Sequence, residues 1–104
     1  MVTNAKEELL QFLTYRELNL EEVFDGAVIR FFPEWIEHPA ITFQPNQLDR
    51  FLDYLDGLNY DSGYGTQELF GFVLLKCGAP NRWWLDRHEY DGSESWVLRK
   101  RPRL

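Results

Sequence analysis

The amino-acid sequence predicts an α+β domain, an antiparallel four- or five-stranded sheet with two to three helices packed on one face. Three observations carry that expectation. Two segments repeat apolar residues at helical spacing, the C-terminal half is a series of β-branched and aromatic runs parted by turn residues, and no repeat or linker-like stretch divides the chain. With 104 residues there is material for one core and too little for two. Residues 1–104 are therefore expected to form one domain.

The first helix is expected over Asn4 to Tyr15. Asn4 is placed to cap it, Glu7 follows three residues later, and Leu9, Leu10, Phe12 and Leu13 form an apolar stripe. Asn19 and Glu22 repeat the start signal, and Leu20, Val23 and Phe24 lead to Asp25 and Gly26, where a helix of about two turns is expected to stop. From Ala27 the pattern changes to Val28, Ile29, Arg30, Phe31 and Phe32, a strand ended by Pro33, with Ala40 to Phe43 as its partner before Pro45. Asn46 opens the strongest helix, in which Leu48, Phe51, Leu52 and Leu55 fall at i, i+3, i+4 and i+7 and Gly57 marks the end.

Asn59 to Thr66 reads as a turn-rich loop, and Leu69 to Lys76 is apolar enough for a central strand. Cys77 to Asn81 supplies a reversal, Trp83 to Tyr90 a strand with interspersed charges, Asp91-Gly92 a tight turn and Ser95 to Lys100 the last strand. The C-terminal half is thus expected to be an antiparallel meander.

Composition narrows the function classes. Seventeen aromatic residues (Phe 8, Tyr 5, Trp 4) exclude a disordered tail. The single cysteine, Cys77, excludes an intramolecular disulfide and a multi-cysteine zinc site and fits a reducing compartment. The longest uninterrupted apolar run, Phe72 to Leu75, is four residues, far short of a membrane span or signal-peptide core. The expected setting is the cytoplasm, with no membrane and no cofactor.

Net charge is −6, which argues against direct nucleic-acid binding, because affinity for phosphates comes from clustered Lys and Arg. The charge is unevenly spread. Residues 1–68 hold 13 acidic and 4 basic side chains, residues 69–104 hold 4 and 7. Much of the positive charge is terminal, at Arg99, Lys100, Arg101 and Arg103, where a solvated tail is the plain reading.

Four constellations could carry chemistry. Asp61-Ser62-Gly63-Tyr64-Gly65 has the glycines of a phosphate loop, but it follows a helix and precedes a strand and has no nearby Lys, so a plain turn is the better reading. Asp86, Arg87, His88, Glu89 and Tyr90 are the densest titratable set; on a strand Asp86, His88 and Tyr90 point one way and Arg87 and Glu89 the other. Asp86, His88 and Glu89 are the alternative catalytic residues of a small ribonuclease-like hydrolase, weighed against cross-strand charge pairs on a solvated face. The third helix carries Asp49, Asp53 and Asp56 at i, i+4 and i+7, offset only by Arg50 and extended by Asp61. A line of carboxylates can imitate a line of phosphates, and an ordinary solvated helix face is the competing reading. Trp83 and Trp84 are adjacent and face opposite sides of a strand, so Trp84, with Tyr64, is a candidate anchor of a protein interface.

Gly63-Tyr64-Gly65, Glu68-Leu69-Phe70-Gly71 and the stretch from Trp84 through Asp91-Gly92-Ser93-Glu94-Ser95 to Trp96 together form a recurring pattern. The chain there resembles small uncharacterised proteins encoded by phages and plasmids, which share a W-x-x-R-x-E-Y-D-G-S-E-x-W hairpin and a closing strand. The turn before Trp84 is longer here. The resemblance covers about the last 40 residues and implies a mobile-element accessory protein without implying an activity.

The expected function is that of a non-enzymatic acidic binding protein, an inhibitor of a host nuclease or other defence complex. Its protein partner would be a nucleic-acid-handling complex, engaged by Asp49, Asp53, Asp56 and Asp61 with Tyr64 or Trp84 as anchor. The alternatives are the hydrolase and a self-associating structural subunit.

Overall fold

The computed structural model describes residues 2–33, 36, 38–61, 67–76, 83–90 and 93–100. Among these, the elements in chain order are β1 (Val2–Asn4), α1 (Ala5–Tyr15), α2 (Leu20–Val23), β2 (Phe24–Phe31), β3 (Ile41–Phe43), α3 (Leu48–Asp56), β4 (Asn59–Asp61), β5 (Leu69–Leu75), β6 (Trp84–Tyr90) and β7 (Ser93–Arg99). Five strands form an antiparallel sheet in the order β3-β2-β5-β6-β7, and β1 pairs with β4 in a separate two-stranded sheet. The fold is α+β, with the C-terminal meander in place. No helix among the described residues is long and apolar enough to cross a membrane.

The Asn4 side chain caps α1 by accepting from the Glu7 N–H at 3.1 Å. The same amide donates to the Asp56 carbonyl at 3.0 Å and to Asn59 Oδ1 at 3.2 Å, so one residue joins the start of α1, the end of α3 and β4. Beside it the Ala5 N–H donates to the Leu58 carbonyl at 2.9 Å.

Several boundaries differ from the expectation, each for a local reason. The second helix is a single turn, because the sheet claims Phe24: β2 begins there and pairs Phe24 with Leu75. Gly26 is therefore no helix stop; at φ +115° it lies within a register shift between Phe24 and Ala27. The third helix opens at Leu48 rather than Asn46, and the preceding turn is closed by Gln47 Oε1, which accepts from the Gln44 N–H at 2.8 Å. Asn59 to Asp61, expected as loop, is a strand whose partner is the chain's own beginning, Val2 opposite Asp61 and Asn4 opposite Asn59. The last strand starts at Ser93.

The helices cover one face of the large sheet. Ala27, Ile29, Phe31, Leu69, Val73, Leu75, Leu85 and Trp96 are buried there beneath Ala5, Leu9 and Leu13 of α1 and Phe51 and Leu55 of α3. The Phe51 ring lies 5.2 Å from Phe24 and 5.3 Å from Phe43, which ties α3 to the β2–β3 side of the sheet. The opposite face stays open and leaves Phe72 and Leu74, 37% and 43% exposed, next to half-buried Trp84 and Val97.

Candidate functional site

Asp49, Asp53 and Asp56 all lie on the exposed side of α3, because Phe51 and Leu55 take the buried side. None of the three forms an ion pair with a described residue. Asp49, in the first turn, is favoured by the helix dipole; Asp56, the last helical residue, is opposed by it, and the last turn holds no basic side chain. The spacing of one turn and then nearly another keeps the carboxylates within mutual repulsion. An open groove of about 420 Å³ adjoins the stripe, lined by Ile41, Phe43, Arg50, Asp53 and Tyr54. Burial raises the Tyr54 hydroxyl pKa, so the groove wall is neutral there. Asp61 follows the helix closely in sequence but belongs to β4, and Tyr64 lies outside the described residues. Cys77 and Trp35 also lie outside them.

The second constellation is divided by the sheet. Asp86 and His88 share the open face, opposite Val97 and Ser95, while Glu89 points to the other face opposite Glu94. Asp86 is half-buried and meets Arg99 at 3.7 Å; His88 and Glu89 are exposed. His38, the other histidine, stacks on Phe31 with ring centres 6.4 Å apart, and the Phe31 side chain points to the helical side, away from the face that carries His88. Trp84 sits half-buried on the open face between Leu74 and Arg99.

The densest polar structure is centred on Arg87, inside the fold. Arg87 was expected in a solvated charge pair; it is buried, with its side chain 1% exposed. Its guanidinium donates to Glu8 Oε1 at 2.8 Å, to the Tyr60 hydroxyl at 2.8 Å and to Glu94 Oε1 at 2.6 Å. It lies 4.9 Å from the Trp96 ring centre and 5.6 Å from that of Tyr60. Tyr60 in turn donates to Glu8. The Glu94 carboxylate, 2% exposed, also accepts the N–H groups of Glu68 at 2.7 Å and Leu69 at 3.1 Å. Arg87 Nε and Trp96 Nε1 are buried without a hydrogen-bond partner among the described residues.

This network bolts α1, β4, β5, β6 and β7 together. It is closed to a substrate, because Arg87 and Glu94 are sealed and only Glu8, 19% exposed, reaches solvent. A signal for it was present: Arg87 keeps phase with buried Leu85, and Glu94 with Trp96, so both charges fall in the core-facing register of their strands.

Burial pulls the Arg87 pKa down, but Glu8, Tyr60 and Glu94 outweigh it and the net shift is upward. The Tyr60 pKa is raised far above its usual 10.0, first by burial, with Arg87 opposing and Glu8 assisting. A folded-state pKa above the unfolded one means stability that is whole below about pH 10 and drains away as pH climbs beyond it. Thermal melts from neutral pH to about pH 12 are expected to show this loss in the native protein and a shallower slope in Tyr60→Phe. Equal slopes would place the alkaline loss in other groups.

Compared with known proteins, the chain matches no protein-family model, no curated protein sequence and no solved structure.

Proposed function

We propose that this chain is a non-catalytic acidic binding protein that occupies a basic, nucleic-acid-binding surface of a protein partner. The most concrete form of the reading is a phage- or plasmid-type inhibitor of a nuclease or other defence complex. One observation carries it: α3 displays three exposed carboxylates that no described residue neutralises, spaced to repel one another and with Asp56 at the end where the helix dipole opposes it. Like charges a turn apart and an aspartate at the C-terminal end each cost a few tenths of a kcal/mol. A partner's Lys and Arg side chains would relieve that repulsion, and the groove beside Asp53 offers an apolar floor for a neighbouring side chain. The hydrolase reading has less support, since Glu89 faces away from Asp86 and His88.

The test is a double charge reversal, Asp49→Lys with Asp53→Lys. The fold is expected to survive within about 0.5 kcal/mol, because both positions are exposed. A nucleic-acid-handling protein that co-purifies with the native chain after nuclease treatment is expected to lose affinity by about tenfold or more for the double variant. Unchanged affinity, measured by calorimetric titration, would remove the acidic helix from the interface and this reading with it.

A further inference from the structure

The two edges of the large sheet are built differently. The β3 edge is three residues long, has Pro39 before it and Pro45 after it, and lies under α3. Those are devices that keep an edge from recruiting another strand. The β7 edge is longer and unbroken, and the inward-pointing charge it carries, Glu94, is neutralised by Arg87. Its seven residues hold no Pro or Gly, and all seven pair with β6 in unbroken register from Trp84–Arg99 to Tyr90–Ser93. No described residue makes a backbone hydrogen bond to its outer side.

The outward groups can be identified. The Leu75 N–H donates to the Trp83 carbonyl, so Trp83 and, two residues on, Leu85 bond toward β5, while Trp84, Asp86 and His88, in the alternate phase, bond toward β7. His88–Ser95, Asp86–Val97 and Trp84–Arg99 bond inward. Glu94, Trp96 and Leu98 are left with their N–H and C=O groups facing outward.

We propose that β7 is the contact through which two copies of this chain join, antiparallel and edge to edge about a two-fold axis, into one continuous ten-stranded sheet. The occupant is a second copy because β7 is complementary to itself. Centred on Trp96, the pairing sets Ser93 against Arg99, Glu94 against Leu98 and Ser95 against Val97 of the other copy. Every facing pair lies on the same side of the sheet, and no like charges meet. The outward N–H and C=O groups of Glu94, Trp96 and Leu98 then meet their own counterparts. Charge placement agrees: the acidic α3 packs over the β2–β3 side, at the far end of the sheet from β7, so two chains of net charge −6 meet at the edge remote from that helix. Val97, Trp84, Phe72 and Leu74 of the open face would run on into the same patch of the second copy.

Sedimentation equilibrium from micromolar to near-millimolar concentration is expected to show reversible formation of a species of twice the 12.4 kDa chain mass. Ser95→Lys with Val97→Lys, which puts lysine opposite lysine in that register, is expected to abolish it; circular dichroism checks that the fold is kept. Ser95→Glu with Val97→Glu is expected to be monomeric alone and to form a mixed dimer with the lysine variant, a rescue that only neighbouring β7 strands can give. In the native dimer the amides of Glu94, Trp96 and Leu98 are expected to exchange more slowly as concentration rises. A monomer at every concentration overturns the proposal. So does a dimer that tolerates the β7 lysines but is lost in Leu74→Lys, which would mean stacking through the open faces.

Discussion

Replacing Arg87 by methionine is expected to lower the unfolding free energy by about 3–5 kcal/mol, the cost of removing one partner from a buried ion pair. A domain of this size has about 5–15 kcal/mol in all, so the variant should sit near the edge of folding, with a melting temperature lower by roughly 15–30 °C. The cause is the group left behind. Glu94 keeps the Glu68 and Leu69 N–H groups but loses the cation 2.6 Å from it, and its side chain cannot reach water. Arg87→Met combined with Glu94→Gln is therefore expected to regain much of the loss, since both charges then disappear from the interior. Urea unfolding of the three variants measures this. A single variant within about 1 kcal/mol of the native protein would mean that the network contributes little to the hold between α1 and the sheet.

Gly71→Ala is expected to be at least as damaging. Gly71 has φ +133°, a region L-residues rarely enter, and an added Cβ would stand 2.0 Å from the Val28 carbonyl oxygen and 3.0 Å from the Ile29 Cα. Those are backbone atoms of the neighbouring strand, paired as Ile29 with Gly71, so relief requires β2 and β5 to separate at the middle of the sheet. A loss above about 4 kcal/mol, or no folded protein, is the expected result. Gly26→Ala should cost less, because the nearest atom to its Cβ, the Phe43 carbonyl oxygen, is 3.0 Å away and β3 is an edge strand. Gly57→Ala is the internal control: its φ is −83° and its Cβ would meet Tyr54 O at 3.6 Å, an ordinary contact. Soluble yield and melting temperature across the three should follow that order, and a stable Gly71→Ala would refute the close approach of the two strands.

What the sequence revealed and what it hid follow from the range of the forces involved. Periodicity is local, so the Leu/Phe stripes of α1 and α3 and the apolar run of β5 announced themselves, as did the Asn4 cap. Pairing between distant segments leaves no local mark when a strand has three residues. Nothing in Asn59-Tyr60-Asp61 distinguishes a strand from the turn-rich stretch that follows until Val2 to Asn4 is laid beside it. The acidic stripe was legible because a helix converts spacing directly into a face, whereas Asp61 was assigned to it by proximity in sequence and belongs to another element. Arg87 is hard to place from sequence for a different reason. Charges are expected at the surface, and only the phase of the strand, Leu85 and then Arg87, says otherwise.

The same bolt has a meaning in time. Glu8 and Arg87 are 79 residues apart, and Glu8 and Tyr60 are 52 apart. On a ribosome adding about 5–20 residues per second, α1 would wait roughly 4–16 s after its own synthesis before the arginine that fastens it has been made. Through that interval its Leu9 and Leu13 stripe has no finished sheet to cover. Formation of the β6–β7 hairpin is then the event that closes this core: it delivers the cation and the second carboxylate together, seven residues apart, and converts a loose helix into part of a closed core.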